Sequence, residues 1–366
     1  MNRKSETLEG SLLVDQPQEK SSRPCVEKVE ELGLSTNSRI SLKSVYTPSD
    51  VEDIEYGEIG MPGLYPFTRG IESLQNQIRP LGGSMQFGYG LPEHTRKRMD
   101  AIFLQDPGMM QLVFATDLPT CNGYDPDHPL ARGRVGQSGV SLCNTEDLAR
   151  LLDGLPIDKM RLVFGANVAS IIMLALYIVY AERRGIPPKK LRGRMVNRLY
   201  MVTYYAIPGF PPEASMKLMV ELIKYCATNM PEMDSLVLDG YGLAEAGANT
   251  IQELAFLLAI HMEIAKWVIG TGLSPDDYAP HVGFKLHVGM DFFEEIAKIR
   301  AFRKMWAKVN REKLGCKESK SLRARITTHT AGISLTAQQP LNNIVRTTLQ
   351  AVAAAIAGVD GMHVCS

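Results

Sequence analysis

The sequence predicts a parallel (β/α)8 barrel with an extended N-terminal arm and no eighth helix. Eight short apolar runs read as strands, and long helical patterns lie between most of them over about 260 residues. The competing doubly wound open sheet wants a G-x-G-x-x-G turn after the first strand, and the sequence lacks one.

Taken in order, residues 1–36 are polar and mixed in charge and read as a flexible tail, with one short helix at Cys25–Leu34. Residues 37–107 form an extended Gly/Pro-rich arm that ends in a lead-in helix over Leu91–Gln105. The barrel occupies 108–366. Its predicted strands are Met109–Thr116, Val140–Cys143, Arg161–Ala166, Tyr200–Ile207, Ser235–Gly240, Val282–Val288, Ala324–His329 and Met362–Cys365. The predicted helices are Thr145–Gly154, Ala169–Arg184, Pro211–Met230, Asn249–Ile269, Phe292–Leu314 and Thr336–Ala357. Pro211 suits a first helical turn and Gly185 a helix stop. Leu341, Ile344, Val345, Leu349 and Val352 repeat with the 3.6-residue period of a helix. The last strand stands at the end of the sequence, so the expectation is that another polypeptide covers it or that the chain is a fragment.

Composition narrows the function. Apolar residues make up 45% and charged residues 22%, as in globular proteins. Forty basic residues balance forty acidic ones, so no global field points to nucleic acid or an anionic membrane. The six cysteines are scattered without C-x-x-C pairs, which argues against zinc and disulfides. No apolar run is long enough to span a bilayer, and no signal peptide is seen. The expectation is a cytoplasmic enzyme or enzyme subunit with no metal site.

Candidate site residues cluster after predicted strands, where such folds place their chemistry. The loop Asp117–Pro129 holds three aspartates, a histidine, a tyrosine and a thiol in thirteen residues. A turn built from Asp and Pro is the plainer alternative. His329 in T-T-H-T-A-G and Tyr205 also end predicted strands, and Glu245 in L-A-E-A-G-A follows one. His287 reads as an interior residue, His261 as a packed helix residue, and Arg79 as either solvated or an anion contact. No Ser-His-Asp order, H-E-x-x-H or P-loop is present. The residues alone name no reaction.

An ordered set of segments adds one. Y-P-F-T-R-G (65–70), G-Y-D-P-D-H-P (123–129), E-A-G-A (245–248), V-G-M-D-F-F (288–293), M-W-A-K (305–308), S-L-T-A-Q (334–338) and N-N-I-V-R-T (342–347) stand in colinear order. Together they resemble the methylmalonyl-CoA mutase family from about Ile40 onward. The resemblance implies a barrel that holds an acyl-CoA along its axis beneath an adenosylcobalamin carried mainly by another domain. That domain's D-x-H-x-x-G motif is not in this sequence, so the resemblance implies a cobalamin-binding small subunit and allows a second barrel subunit as partners. It places Leu118, Cys121, Tyr124, Asp125, His128 and Glu245 toward the cofactor, Arg79, Asn167 and Gln338 toward the substrate, and His329 and Tyr205 at the reaction. Several positions depart from the family pattern. Gly242 stands for a carbonyl-binding histidine, Leu81 for a tyrosine, Tyr205 for a carboxylate-binding arginine, His329 for a glutamine and Cys121 for a histidine. These departures imply an acyl-CoA other than methylmalonyl-CoA, or alternatively a non-catalytic paralogous subunit or a fragment.

Overall fold

The structure, a computed structural model, describes residues 34–43, 45–74, 82–83, 85–106, 109–201 and 210–365. Chain contacts divide it into two units, residues 1–53 and 54–366. In the first, Ser35 and Ser41 form an antiparallel bridge. Lys43 pairs with Asp50, whose carboxylate also accepts the Thr47 N–H.

Among the described residues, the second unit has ten short strands in two parallel sheets. They are β1 (Gly82–Gly83), β2 (Gln86–Phe87), β3 (Gln111–Ala115), β4 (Arg161–Gly165), β5 (Arg192–Met195), β6 (Met233–Asp234), β7 (Leu236–Asp239), β8 (Val282–Val288), β9 (Arg325–Thr330) and β10 (Gly361–His363). One sheet has the order β1-β10-β9-β8-β7, the other β2-β3-β4-β5-β6. At each end the sheets are joined through consecutive strands, β1 to β2 and β6 to β7. This mixed α/β arrangement is compatible with a (β/α)8 barrel.

The main helices are α1 (Pro92–Phe103), α2 (Leu118–Asn122), α3 (Thr145–Leu152), α4 (Ser170–Arg183), α5 (Pro212–Asn229), α6 (Gly240–Glu245), α7 (Thr250–Ile269), α8 (Phe292–Lys308) and α9 (Asn342–Ala357). Side chains alternate along each strand. Leu112 and Phe114, Leu162 and Phe164, and Phe284, Leu286 and Val288 are buried in the apolar clusters that contain helix residues. Their neighbours in sequence line a space between the sheets. Among the described residues no helix is long and apolar enough to cross a membrane.

One predicted strand is corrected, and most of another lies outside the described residues. Val140 makes only isolated bridges, to Gly90 and Thr116. The backbone beyond it serves the next helix instead: Asp147 accepts the Cys143 N–H, and Asn144 caps α3 by accepting the Asp147 N–H. Leu199–Met201 is a 3-10 turn, and 202–209, with Tyr205, lie outside the described residues. The strand in that region is Arg192–Met195, where R-G-R-M shows no apolar run. It pairs because Arg194 faces inward to an acid and Met195 outward to the core. Gly193 has φ +145°, and a Cβ there would sit 1.9 Å from the Leu162 carbonyl oxygen. β1 and β2, read as part of the arm, supply further strands. The predicted helix Cys25–Leu34 falls almost wholly outside the described residues.

The last helix starts later than predicted, at Asn342 rather than Thr336, and its apolar period faces outward. Leu341, Ile344, Val345, Leu349 and Val352 are exposed. α9 buries Thr347, Gln350, Ala353, Ala354 and Ala357, packing on α8, β8 and β9. Small side chains let that face approach closely, while the larger apolar stripe points outward.

At the N-terminal ends of the strands, Asp234 is buried among three guanidinium groups. Arg194 Nε is 3.2 Å away, Arg161 Nη2 3.7 Å, and Arg325 pairs with the second oxygen. The cluster links β4, β5 and β6 of one sheet to β9 of the other. Gly283 leaves the room it needs, since a Cβ there would meet the Arg194 guanidinium at 2.7 Å. Burial pushes the Asp234 carboxyl up, but Arg325, Arg194 and Arg161 together outweigh it and hold it below its ordinary value. Its stabilising contribution is therefore present above the unfolded carboxyl's pKa of about 4 and is lost as pH falls through the lower folded value. Asp234→Asn is expected to cost about 3–5 kcal/mol in urea unfolding. It should also flatten the acid limb of the stability profile. A loss under about 1 kcal/mol would show that the cluster is not a structural centre.

Candidate functional site

Between the two sheets lies a cavity of about 250 Å³. Its lining is mixed, with polar groups from Gln86 of β2, Asn167 after β4, Arg198 after β5, Lys285 of β8, His329 of β9 and His363 of β10. Apolar Val113, Val163, Val196 and Val237 complete the wall.

One side is a hydrogen-bonded chain. Arg198 pairs with Asp239, and its Nε donates to Asn167 Oδ1 at 3.1 Å. Asp239 also caps α6 by accepting the Gly242 N–H at 3.1 Å. Asn167 has φ +43°, a left-handed backbone that asparagine tolerates and that aims its amide at both Arg198 and the Cys121 thiol. Cys121 is buried, 3.1 Å from Thr116 Oγ1, and donates to the Gly165 carbonyl. Burial pushes its thiol up, so it is a packed thiol, not a nucleophile.

The other side is aromatic and cationic. Lys285 Nζ lies 4.7 Å from the centre of the Tyr241 ring. That ring is 4.7 Å from His329, and His329 stacks on His363 at 4.2 Å and 19°. His287, His329 and His363 are register partners across β8, β9 and β10. Burial lowers the His329 pKa to about 2, helped by the charge of Lys285 and by His363 and Arg198. His329 is therefore a neutral imidazole at physiological pH, with one N–H and one lone pair. Burial also pulls Lys285 below its ordinary value, with Asp239 opposing.

His287 is fixed rather than presented. Its Nε2 is 3.4 Å from Glu245 Oε1, and its backbone is gripped from outside. Glu253 accepts its N–H at 3.0 Å, and buried Lys298 donates to its carbonyl at 2.6 Å and to Glu253 at 2.8 Å. Glu245 ties α6 to the loop after β9, accepting the Gly332 and Ile333 N–H groups at 2.8 and 3.2 Å.

The structure brings His329, Asn167 and Cys121 to one cavity. Arg79, Leu81 and Tyr205 lie outside the described residues. Gln338 is exposed in the loop before α9 and does not line the cavity. In the Asp117–Pro129 loop, Asp117 is buried and organises the turn, accepting Thr120 N–H at 2.9 Å and Gly136 N–H at 2.6 Å. Tyr124 stacks on His128 at 4.8 Å, and His128 Nδ1 accepts the Leu130 N–H. Asp125 and Leu118 are exposed. His261 is a packed core residue on Trp306 and Tyr278, and burial lowers its pKa to about 3.

Sequence reading missed Arg194, Arg198, Lys285 and His363. The available signal was alternation: R-x-R in 192–194, K-x-H in 285–287 and H-x-C in 363–365 each put polar residues on one face of a strand or its extension.

The His329 environment makes a direct prediction. In proton NMR its imidazole should stay in the neutral form between about pH 8 and pH 5, and Lys285→Met should raise its pKa. A wild-type midpoint near 6.5, the ordinary histidine value, would contradict this placement.

Comparison with known proteins agrees with this architecture. The methylmalonyl-CoA mutase family profile matches residues 35–366. The mitochondrial methylmalonyl-CoA mutases of Bos taurus and Homo sapiens are each 39% identical over 340 residues, covering 91% of this chain and 44% of their own length. The methylmalonyl-CoA mutase of Escherichia coli (strain K12) is 36% identical over 340 residues, covering 92% of this chain and 46% of its own. The chain thus spans less than half the length of these relatives. It belongs to the methylmalonyl-CoA mutase family.

Proposed function

We propose that this chain is the barrel subunit of an adenosylcobalamin-dependent acyl-CoA mutase that rearranges an acyl-CoA other than methylmalonyl-CoA. In this reading the two parallel sheets are halves of one closed eight-stranded barrel, joined through β1–β2 and β6–β7. The observation that carries it is the cavity between the sheets, lined by strand ends and by residues that follow them.

The residues of the chain have distinct roles. The neutral imidazole of His329 offers its N–H to the thioester carbonyl, in the role the family gives to the residue at Gly242. Asn167, held by Arg198 and Cys121, presents an amide to the acyl group. Arg198 is already committed to Asp239, so a substrate carboxylate would have to break a buried pair. This supports an acyl group without one. The Val113, Val163 and Val237 walls exclude water from the reacting carbon.

Adenosylcobalamin, when bound, supplies the radical chemistry. The loops at the C-terminal ends of the strands suit a broad, largely apolar macrocycle. Leu118, Leu130, Met290 and Ile333 are exposed there, after β3, β8 and β9. Leu118 and the Tyr124–His128 stack would support that group, with Asp125 at its rim and Glu245 holding the neighbouring loop in place. A cobalamin-binding subunit would bring it, and the exposed α9 stripe is surface available to a further subunit. A second reading, a non-catalytic barrel that supports a mutase complex, draws on the missing side chain at Gly242, whose N–H is consumed by the Asp239 cap.

Turnover decides between them. With a cobalamin-binding partner and an acyl-CoA panel, at least one uncharged acyl-CoA should isomerise faster than methylmalonyl-CoA, and His329→Ala should lower kcat by about 10²–10³. Equal turnover by the variant would remove His329 from the reaction. No turnover across the panel would leave the non-catalytic reading, and methylmalonyl-CoA as best substrate would overturn the acyl assignment.

A further inference from the structure

Two imidazoles and a thiol converge at the C-terminal ends of β9 and β10. We infer that His329, His363 and Cys365 form a site for a thiophilic d10 metal ion, Zn2+ or Cu+, opening on the cavity. One ligand atom from each residue lies within 4.8 Å of the others. The inference is independent of the mutase reading.

Strand register builds the cluster. His329 and His363 are direct partners across parallel strands. Cys365 follows His363 by two residues, which keeps both on one side of the extended chain. Cys365 is itself positioned: its N–H donates to Thr330 Oγ1 at 2.8 Å and its thiol to the Thr330 carbonyl at 3.4 Å. Nδ1 of His329 is buried and lacks a hydrogen-bond partner among the described residues. A buried ring nitrogen of this kind calls for an explanation, and metal ligation supplies one.

The donor set selects the ion. Two neutral imidazoles and a thiolate suit Zn2+ and Cu+ far better than Mg2+ or Ca2+. Lys285 and Arg198 add positive charge near His329, partly balanced by Asp239. The thiolate formed on binding offsets the charge of the ion. The Cys365 S–H breaks, its proton leaves to solvent, and a sulfur–metal bond forms with no electron transferred. Three protein ligands leave a position open toward the cavity, the pattern of reactive rather than structural zinc sites. Ligation through one nitrogen would also fix the His329 tautomer and leave the other N–H as a donor.

The test is metal binding by the full chain, stripped with chelator. Titration with Zn2+ against a chromophoric chelator, and anaerobically with Cu+, should show one ion per chain for at least one of the two. Co2+ should give a thiolate-to-cobalt charge-transfer band, and calorimetry in paired buffers about one proton released per ion. Cys365→Ser should erase the band and, like His363→Ala, weaken binding by about 10–100-fold or more. Cys143→Ser should change neither. Circular dichroism checks the fold, and His363→Gln substitutes if the alanine variant does not fold. Absence of saturable binding by both ions, or a Cys365→Ser variant that keeps the band and the affinity, would overturn the site.

Discussion

A single buried carboxylate sets the conditions for everything above it. Asp234 meets Arg161, Arg194 and Arg325 where β4, β5, β6 and β9 begin. Each of these charges is costly to bury alone, and together they are tolerable only if both sheets hold their register. The cluster closes one end of the space between the sheets with charge rather than with packed aliphatic layers. Arg194 of the cluster also lines the cavity, which extends from there toward His329 and His363.

The upper half follows from the same alternation. Outward positions carry Leu, Val, Ile and Phe against the helices, so the inward positions are released from the task of making a core. They carry Lys285, His329 and His363 instead, and Asn167 and Arg198 follow β4 and β5 into the same cavity. The helices also hold this wall from outside. Lys298 and Glu253 grip the backbone of His287, and Glu245 grips the loop after β9. Lys298 loses proton affinity through burial, but Glu253 and Glu295 more than restore it, so the grip is a charged one. A site without a strong nucleophile, with its imidazole kept neutral and its thiol at Cys121 kept protonated, is suited to binding and shielding a reactive group rather than to acid–base chemistry.

Much of this was legible in the sequence, for a physical reason. Strands such as Gln111–Ala115 and Val282–Val288 announce themselves because their outward stripe is apolar. Arg192–Met195 does not, because its pairing rests on the close approach of Gly193 and on an inward Arg194 whose acid, Asp234, lies far along the chain, and β1 and β2 do not, because two residues each are too short to show a pattern. The same limit applies to the site. His329 was visible as a histidine at a strand end. His363 and Cys365 were not, since only register with β9 brings them beside it. The α9 stripe was legible as a helical period, but its outward face was not, because periodicity gives a helix its stripes without saying which of them meets the sheet.

The central claim is that the space between the sheets is an acyl-CoA chamber. Val163 lines it from β4, and Val163→Phe would fill it while leaving the outward Leu162 and Phe164 core contacts in place. Isothermal titration of a short-chain acyl-CoA should show saturable binding by the unaltered chain and none by the folded Val163→Phe variant. Equal binding by both, or none by either, would contradict the account.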